Sequence, residues 1–115
     1  MEIHGKTALV TGGAKRVGRS IALALAGKGA HILLHYRDSE KEARETASEI
    51  KVLGGKCTLF QADLSKTSDI HNMLSEIKKQ SLFVDILVNS ASLYFKTPVQ
   101  TVREEEWDKL ITANL

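Results

Sequence analysis

The sequence predicts an α/β fold, a doubly wound parallel sheet with helices on its faces, and three observations predict it. Short apolar runs of strand length alternate with stretches of helical period along the chain. A glycine-rich turn lies where the first such strand meets the first helix. The fourth apolar run is nearly unbroken, as a strand buried on both faces should be. Alternation of this kind gives parallel strands joined by right-handed crossovers.

The elements follow in order. "TALVTG" (7–12) reads as a buried strand. In the helix after it, Val17, Ile21, Ala24, Leu25 and Lys28 fall at helical spacing, and Gly29 is a C-terminal stop. "AHILLHY" (30–36) is the second strand. Ser39 with Glu42 forms the pattern of a capping box, opening a helix whose Ala43, Ala47, Ile50 and Leu53 share a face. Gly54 and Gly55 end it. "KCTLFQAD" (56–63) is the third strand, and Ser65 is placed to cap a helix with Ile70, Met73, Leu74 and Ile77 at one face. "VDILVNSAS" (84–92) is the fourth strand. Beyond Pro98, Thr101 with Glu104 opens a helix containing Trp107, Leu110 and Ile111, still running at Leu115. The expected strand order is 3-2-1-4, with the fourth strand outside and its apolar edge open to association, Asp85 being its one gatekeeper charge.

Composition narrows the function. The 115 residues suit one domain, with 43% hydrophobic and 26% charged residues. A net charge of +2 is too mild for a nucleic-acid or membrane-surface protein. No secretory signal and no apolar run of the roughly 18 residues needed to span a bilayer is present. The single Cys57 cannot form an internal disulfide, which fits a cytoplasmic setting, and it reads as a buried apolar thiol. His4, His31, His35 and His71 lack metal-ligand spacing, so no metal site is expected. The run "REEEWDK" reads as a solvated helix start.

The turn carries the chemistry. Gly12, Gly13 and Gly18 bracket a strand-to-helix junction, where glycine lets backbone approach a pyrophosphate and a helix approach a strand. The helix start then offers N–H groups and a favourable dipole to phosphate. Lys15 and Arg16 stand at that same positive end, which is unfavourable unless a polyanion occupies the turn. About 20 residues on, an acid would hold a ribose 2′-hydroxyl and an arginine a 2′-phosphate. Here "HYRDS" places Arg37 before Asp38, and Lys15 can approach from the turn. Two cations against one carboxylate predict NADP(H) in preference to NAD(H), with Asp38 read as a helix-start residue.

With these motifs the chain resembles the short-chain dehydrogenase/reductase family, whose fold is of the Rossmann type. "TGGAKRVG" (11–18) matches the family turn Thr-Gly-x-x-x-Gly-x-Gly, with Arg16 in place of the middle glycine and Val17 beside it. "ADLS" (62–65), "NSAS" (89–92) and Asn114 match further family segments, Ser90 and Ser92 being departures. The resemblance is strongest to the pteridine-reductase branch, carried by "TGGAKRVGRSIA", "LHYRDS" and "NSASLYFKTP". It implies that His35 and Tyr36 flank the adenosine, with Asp63 and Leu64 at the adenine. It also implies that Asn89, Ser90, Ala91 and Ser92 pass beneath the ribose and nicotinamide, and that Asn114 is the catalytic asparagine. Tyr94 stands where the branch stacks an aromatic on its pterin, or packs on the core as loop aromatics do.

Family chemistry is hydride transfer, with a tyrosine as proton donor and a lysine four residues later lowering its pKa. Tyr36 is followed at that spacing by Glu40, and Tyr94 by Pro98. The chain therefore reads as the cofactor-binding part of a cytoplasmic reductase, cut before its Ser and Tyr-x-x-x-Lys and inactive alone. The complete enzyme would be a homo-oligomer, commonly a tetramer, acting on a carbonyl or imine such as a pterin or a 3-oxoacyl thioester. A non-catalytic dinucleotide-binding module is the alternative.

Overall fold

A computed structural model describes residues 2–90, within which four strands form one parallel sheet. In chain order the elements are β1 (Thr7–Thr11), α1 (Arg16–Gly27), β2 (His31–Tyr36), α2 (Glu40–Val52), β3 (Lys56–Gln61), α3 (Thr67–Lys79) and β4 (Ile86–Asn89). The strands lie in the order β3-β2-β1-β4, as expected. After β1 the chain adds β2 and β3 on one side and then crosses back to β4 on the other. That reversal beside β1 is where open α/β sheets form a crevice at their carboxyl ends. The expected helix around Trp107 lies outside the described residues. Among the described residues no helix is long and apolar enough to cross a membrane.

Side chains alternate across a strand, and here both faces are apolar. Ala8, Val10, Ile32 and Leu34 pack with α1 and α2, whereas Leu9 and Leu33 meet Ile70, Met73, Leu74 and Ile77 of α3. Each fully buried Leu or Ile contributes roughly 1.5–3 kcal/mol of transfer free energy. The α3 stripe is the one its periodicity predicts, and its four members are all buried.

Two helix faces differ from expectation. In α1 the buried stripe is Gly18, Ala22 and Ala26, while Val17 is 67% exposed. Small residues let this helix lie close on the sheet, with Leu23 and Leu25 packed partly buried against the same core. In α2, Thr46 joins Ala43, Ala47 and Ile50 in the interior, and Leu53 is 64% exposed. Leu53 is already the C-cap, and Gly54 at φ 86° turns the chain away there.

The predicted caps also differ. Ser39 is the N-cap of α2 by position, but its side chain makes no cap bond. Glu42 has instead an ion pair with Lys15. Lys66, rather than Ser65, is the N-cap of α3. Ser65 gives both its N–H and its hydroxyl to Asp63 Oδ1, at 3.0 and 2.6 Å. The third strand closes at Gln61, two residues before Asp63, and β4 starts at Ile86 rather than Val84 and runs to Asn89, residues 91 and 92 of the predicted strand lying outside the described residues.

Asp85 has a different part from the gatekeeper expected of it. Its N–H donates to the Thr7 carbonyl and its Oδ2 accepts from the Thr7 N–H, both at 2.9 Å. It thus closes the start of the β1–β4 pair. Asp85→Ala leaves the Thr7 N–H without its partner and should cost about 1–3 kcal/mol, the penalty for an unpaired donor. Urea unfolding of the two forms measures it.

Candidate functional site

A cleft of about 550 Å³ opens at the carboxyl ends of β1 and β2. Gly12 and residues 14–18 form one wall and residues 35–39 another, with Leu64 and Ser90 completing it. The sequence-predicted Gly12, Lys15, Arg16, Val17, Gly18, His35, Tyr36, Arg37, Leu64 and Ser90 are therefore gathered in one place. Ala14 joins them, as do Asp38 and Ser39, which the sequence reads as belonging to a helix start. Gly13, Asp63 and Asn89 lie beside the cleft without lining it. Ala91, Ser92, Tyr94 and Asn114 lie outside the described residues.

Glycine is required at two of these positions. Gly12 has φ 62°, in the left-handed region. At Gly18 a Cβ would overlap the Gly12 carbonyl oxygen and come within 2.6 Å of Ser90 Oγ. This brings the start of α1 directly over the end of β1. The Ser90 hydroxyl in turn donates to the Thr11 carbonyl. Gly13 faces inward, where a Cβ would stand 3.1 Å from Leu34 and 3.2 Å from Val10. Its role is to let the turn settle on the core.

No side chain caps the start of α1, and its first turn holds no acid. The first N–H groups of a helix have no intrahelical acceptor, so this end suits an anion. Behind the turn, Thr46 Oγ1 accepts from Arg19 Nε at 3.2 Å, and its single proton faces the Glu42 carbonyl at 2.9 Å with the Ala14 carbonyl farther off at 3.3 Å. Arg19 also bonds Glu49, which ties α1 to α2.

The cations have acidic neighbours that sequence counting misses. Lys15 Nζ is 3.6 Å from Glu42 Oε2. Arg37 lies 3.5 Å from Asp38 and 3.7 Å from Asp63. All are partly exposed pairs of the kind worth at most about 1 kcal/mol. Arg37 keeps half of its side chain in solvent, at the end of β2 where the cleft begins.

Three polar residues act as fasteners. Asn89 Oδ1 accepts from Thr11 Oγ1 at 2.8 Å, joining the ends of β4 and β1. Asp63 is held below the usual carboxylate range, first by the two Ser65 hydrogen bonds and less by the charges of Arg37 and Lys66. His35 is buried, accepts from the Gly12 N–H and reaches the Ala62 carbonyl. Burial lowers its pKa, only partly offset by that carbonyl. Since the unfolded chain takes up this proton more readily, stability falls as pH drops below the ordinary histidine range. Cys57, by contrast, is a spectator, its thiol pushed up to about 11 by burial.

Residues 6–115 match the family described as short chain dehydrogenase. The chain belongs to this family. It is 37% identical over 110 residues to a 3-oxoacyl-(acyl-carrier-protein) reductase of Staphylococcus epidermidis, covering 96% of this chain and 45% of that protein. A hydroxynaphthalene reductase-like protein of Metarhizium brunneum is 33% identical over 112 residues, covering 97% of this chain and 42% of the relative. The chain thus spans less than half the length of these relatives. Among solved structures, a dehydrogenase/reductase from Sinorhizobium meliloti shares 37% identity at a TM-score of 0.72, over 77% of this chain and 36% of that one. A putative dehydrogenase from Burkholderia cenocepacia with bound NADP gives 33% and 0.71, over 76% and 34%. Arg16, at the position expected to match a middle glycine, takes φ 54°, in the left-handed region that favours glycine.

Two outcomes test this geometry. Gly18→Ala should destabilise the chain by about 1–3 kcal/mol, as overpacking does, in urea unfolding. Ser65→Ala should move the Asp63 titration upward in carboxyl carbon NMR, because its largest cause of depression is gone.

Proposed function

We propose that this chain forms the cofactor-binding part of an NADP(H)-dependent short-chain reductase. The observation that carries the reading is the cleft itself, with an uncapped helix start on one side and Arg37 on the other. The residues fit the group. Gly12 and Gly18 leave backbone bare where a pyrophosphate would lie, and the first turn of α1 would receive its charge. Arg37 and Lys15 would hold a 2′-phosphate, and Tyr36 would border the adenosine. The Burkholderia cenocepacia structure named with bound NADP supports this choice.

When bound, the nicotinamide supplies hydride to a carbonyl or imine carbon. The chain's own part is to hold and orient the nucleotide through the turn, with Asn89, Ser90, Ala91 and Ser92 beneath the ribose and nicotinamide. Asn114 takes the family's catalytic asparagine position. Among the described residues Tyr36 is the one tyrosine; it ends β2 and lines the cleft, and this reading gives it a nucleotide contact rather than the proton donor's role. For the substrate, the Staphylococcus relatives favour a 3-oxoacyl thioester, while the pterin-reductase resemblance rests on Arg16 and Tyr94. In this reading the working protein is a cytoplasmic homo-oligomer acting on small molecules.

Calorimetric titration with NADP⁺ and NAD⁺ tests the reading. NADP⁺ should bind more tightly, and Arg37→Ala should weaken it by about 1.5–3 kcal/mol, the range for a hydrogen bond to a charged group. NAD⁺ affinity should hardly change. Equal losses would remove Arg37 from 2′-phosphate recognition, and turnover-free binding in the complete protein would favour the non-catalytic module.

A further inference from the structure

A neutral imidazole has one donor nitrogen and one acceptor nitrogen, and His35 uses both. Its Nδ1 lies 3.0 Å from the Gly12 nitrogen. A backbone N–H only donates, so Nδ1 is the bare nitrogen. Its Nε2 lies 2.8 Å from the Ala62 carbonyl oxygen, which only accepts, so Nε2 carries the hydrogen. The two partners fix tautomer and charge together. One ring at 2% exposure thus spans from the turn after β1 to the chain after β3. Its own carbonyl meanwhile accepts from the Gly13 N–H at 3.0 Å.

A second proton would have to bind at Nδ1, where the Gly12 N–H already points. Donor would then face donor in a buried place, and the bond would be lost. Gly12 is the residue free to give way, because its left-handed backbone carries no side chain. Any shift of Gly12 moves the carbonyl on which Gly18 and the start of α1 rest.

We propose that His35 is a proton-sensitive positioning residue for the cleft: neutral, it holds Gly12 in the shape that receives a pyrophosphate, and protonated it releases the turn. The inference rests on the dinucleotide reading above. Charged or titratable groups on the surrounding described elements are already engaged or exposed. Lys15 pairs with Glu42, and Arg37 pairs with Asp38 and Asp63. Asp69 of α3 accepts from the Asp63 N–H. Arg16 and His71 are exposed. Both hydrogen bonds of the ring go to backbone, so burial sets its proton affinity, and release belongs on the acid side of the ordinary histidine range.

The test has a ligand-free arm and a ligand arm, both on the 115-residue chain. Between about pH 8 and about pH 5, the Gly12 amide resonance should move with the same midpoint as the His35 ring. In parallel, NADP⁺ is titrated into the wild type and into His35→Asn, whose Oδ1 offers Gly12 an acceptor that takes no proton. The ratio of the two dissociation constants cancels protonation of the ligand. It should rise towards about tenfold per pH unit below the His35 midpoint, the limit for one linked proton. His35→Gln, which reaches Ala62 but not Gly12, should bind NADP⁺ about tenfold more weakly where the ring is neutral. A Gly12 amide that ignores the ring's titration, or a flat ratio, overturns the inference. Absence of NADP⁺ and NAD⁺ binding at every pH overturns the dinucleotide reading instead, while the amide titration still decides whether ring and turn are coupled.

Discussion

The backbone of α1 at Gly18 rests against the carbonyl of Gly12, and the site depends on that contact. It sets how near the helix comes to β1, so the stripe below it must also be small, as Ala22 and Ala26 are. It fixes the helix start over the carboxyl end of the sheet, beside the crossing from β1 to β4. A side chain at Gly18 would lift the helix and carry its free N–H groups away from the cleft. The ties behind the turn, from Arg19 to Thr46 and to Glu49, hold the helix against such a lift.

Much of this is legible from residue pattern because the relevant signals are local. The α3 stripe and the glycine junction follow from period and spacing, and the structure has them, with the expected strand order. The α1 face does not, because Gly18, Ala22 and Ala26 carry little hydrophobic signal beside Ile21 and Leu25. The Ser39–Glu42 capping box and the Ser65 cap fail where another partner is at hand, Lys15 for Glu42 and Asp63 for Ser65. His35 is partly legible. A histidine inside the apolar run "HILLHY" calls for buried partners, but nothing local says that one is Gly12, across the sheet.

The same blindness affects the count of charges. Along the chain Arg37 has Asp38 next to it, and two cations outnumber one acid. In space Asp63 and Glu42 enter as well, and the mouth of the cleft is closer to neutral. These pairs are partly solvated and long for hydrogen bonds, so each contributes little. A phosphate presents several oxygens to a guanidinium and makes shorter, charge-assisted bonds. Under the proposed function, exchange of a weak carboxylate contact for a phosphate would therefore be favourable even though Arg37 is already paired in the free chain. Asp38, at 83% side-chain exposure, would then be free to turn into water.

Arg16 shows what the turn demands of its sequence. A left-handed residue with a side chain costs of order 1–3 kcal/mol, and the family pattern avoids that cost with glycine. Here the conformation persists with arginine, so the surrounding turn enforces it rather than the residue choosing it. Gly12 is anchored by the His35 ring and Gly13 by the His35 carbonyl, which narrows the chain's route into α1. A turn fixed at these two residues tolerates an unfavourable conformation farther along, at Arg16. The arginine thereby places a second cation, beside Lys15, at a helix start whose dipole disfavours it. Strain and charge act in the same direction: both cost the free chain stability, and a polyanion in the cleft relieves the electrostatic part.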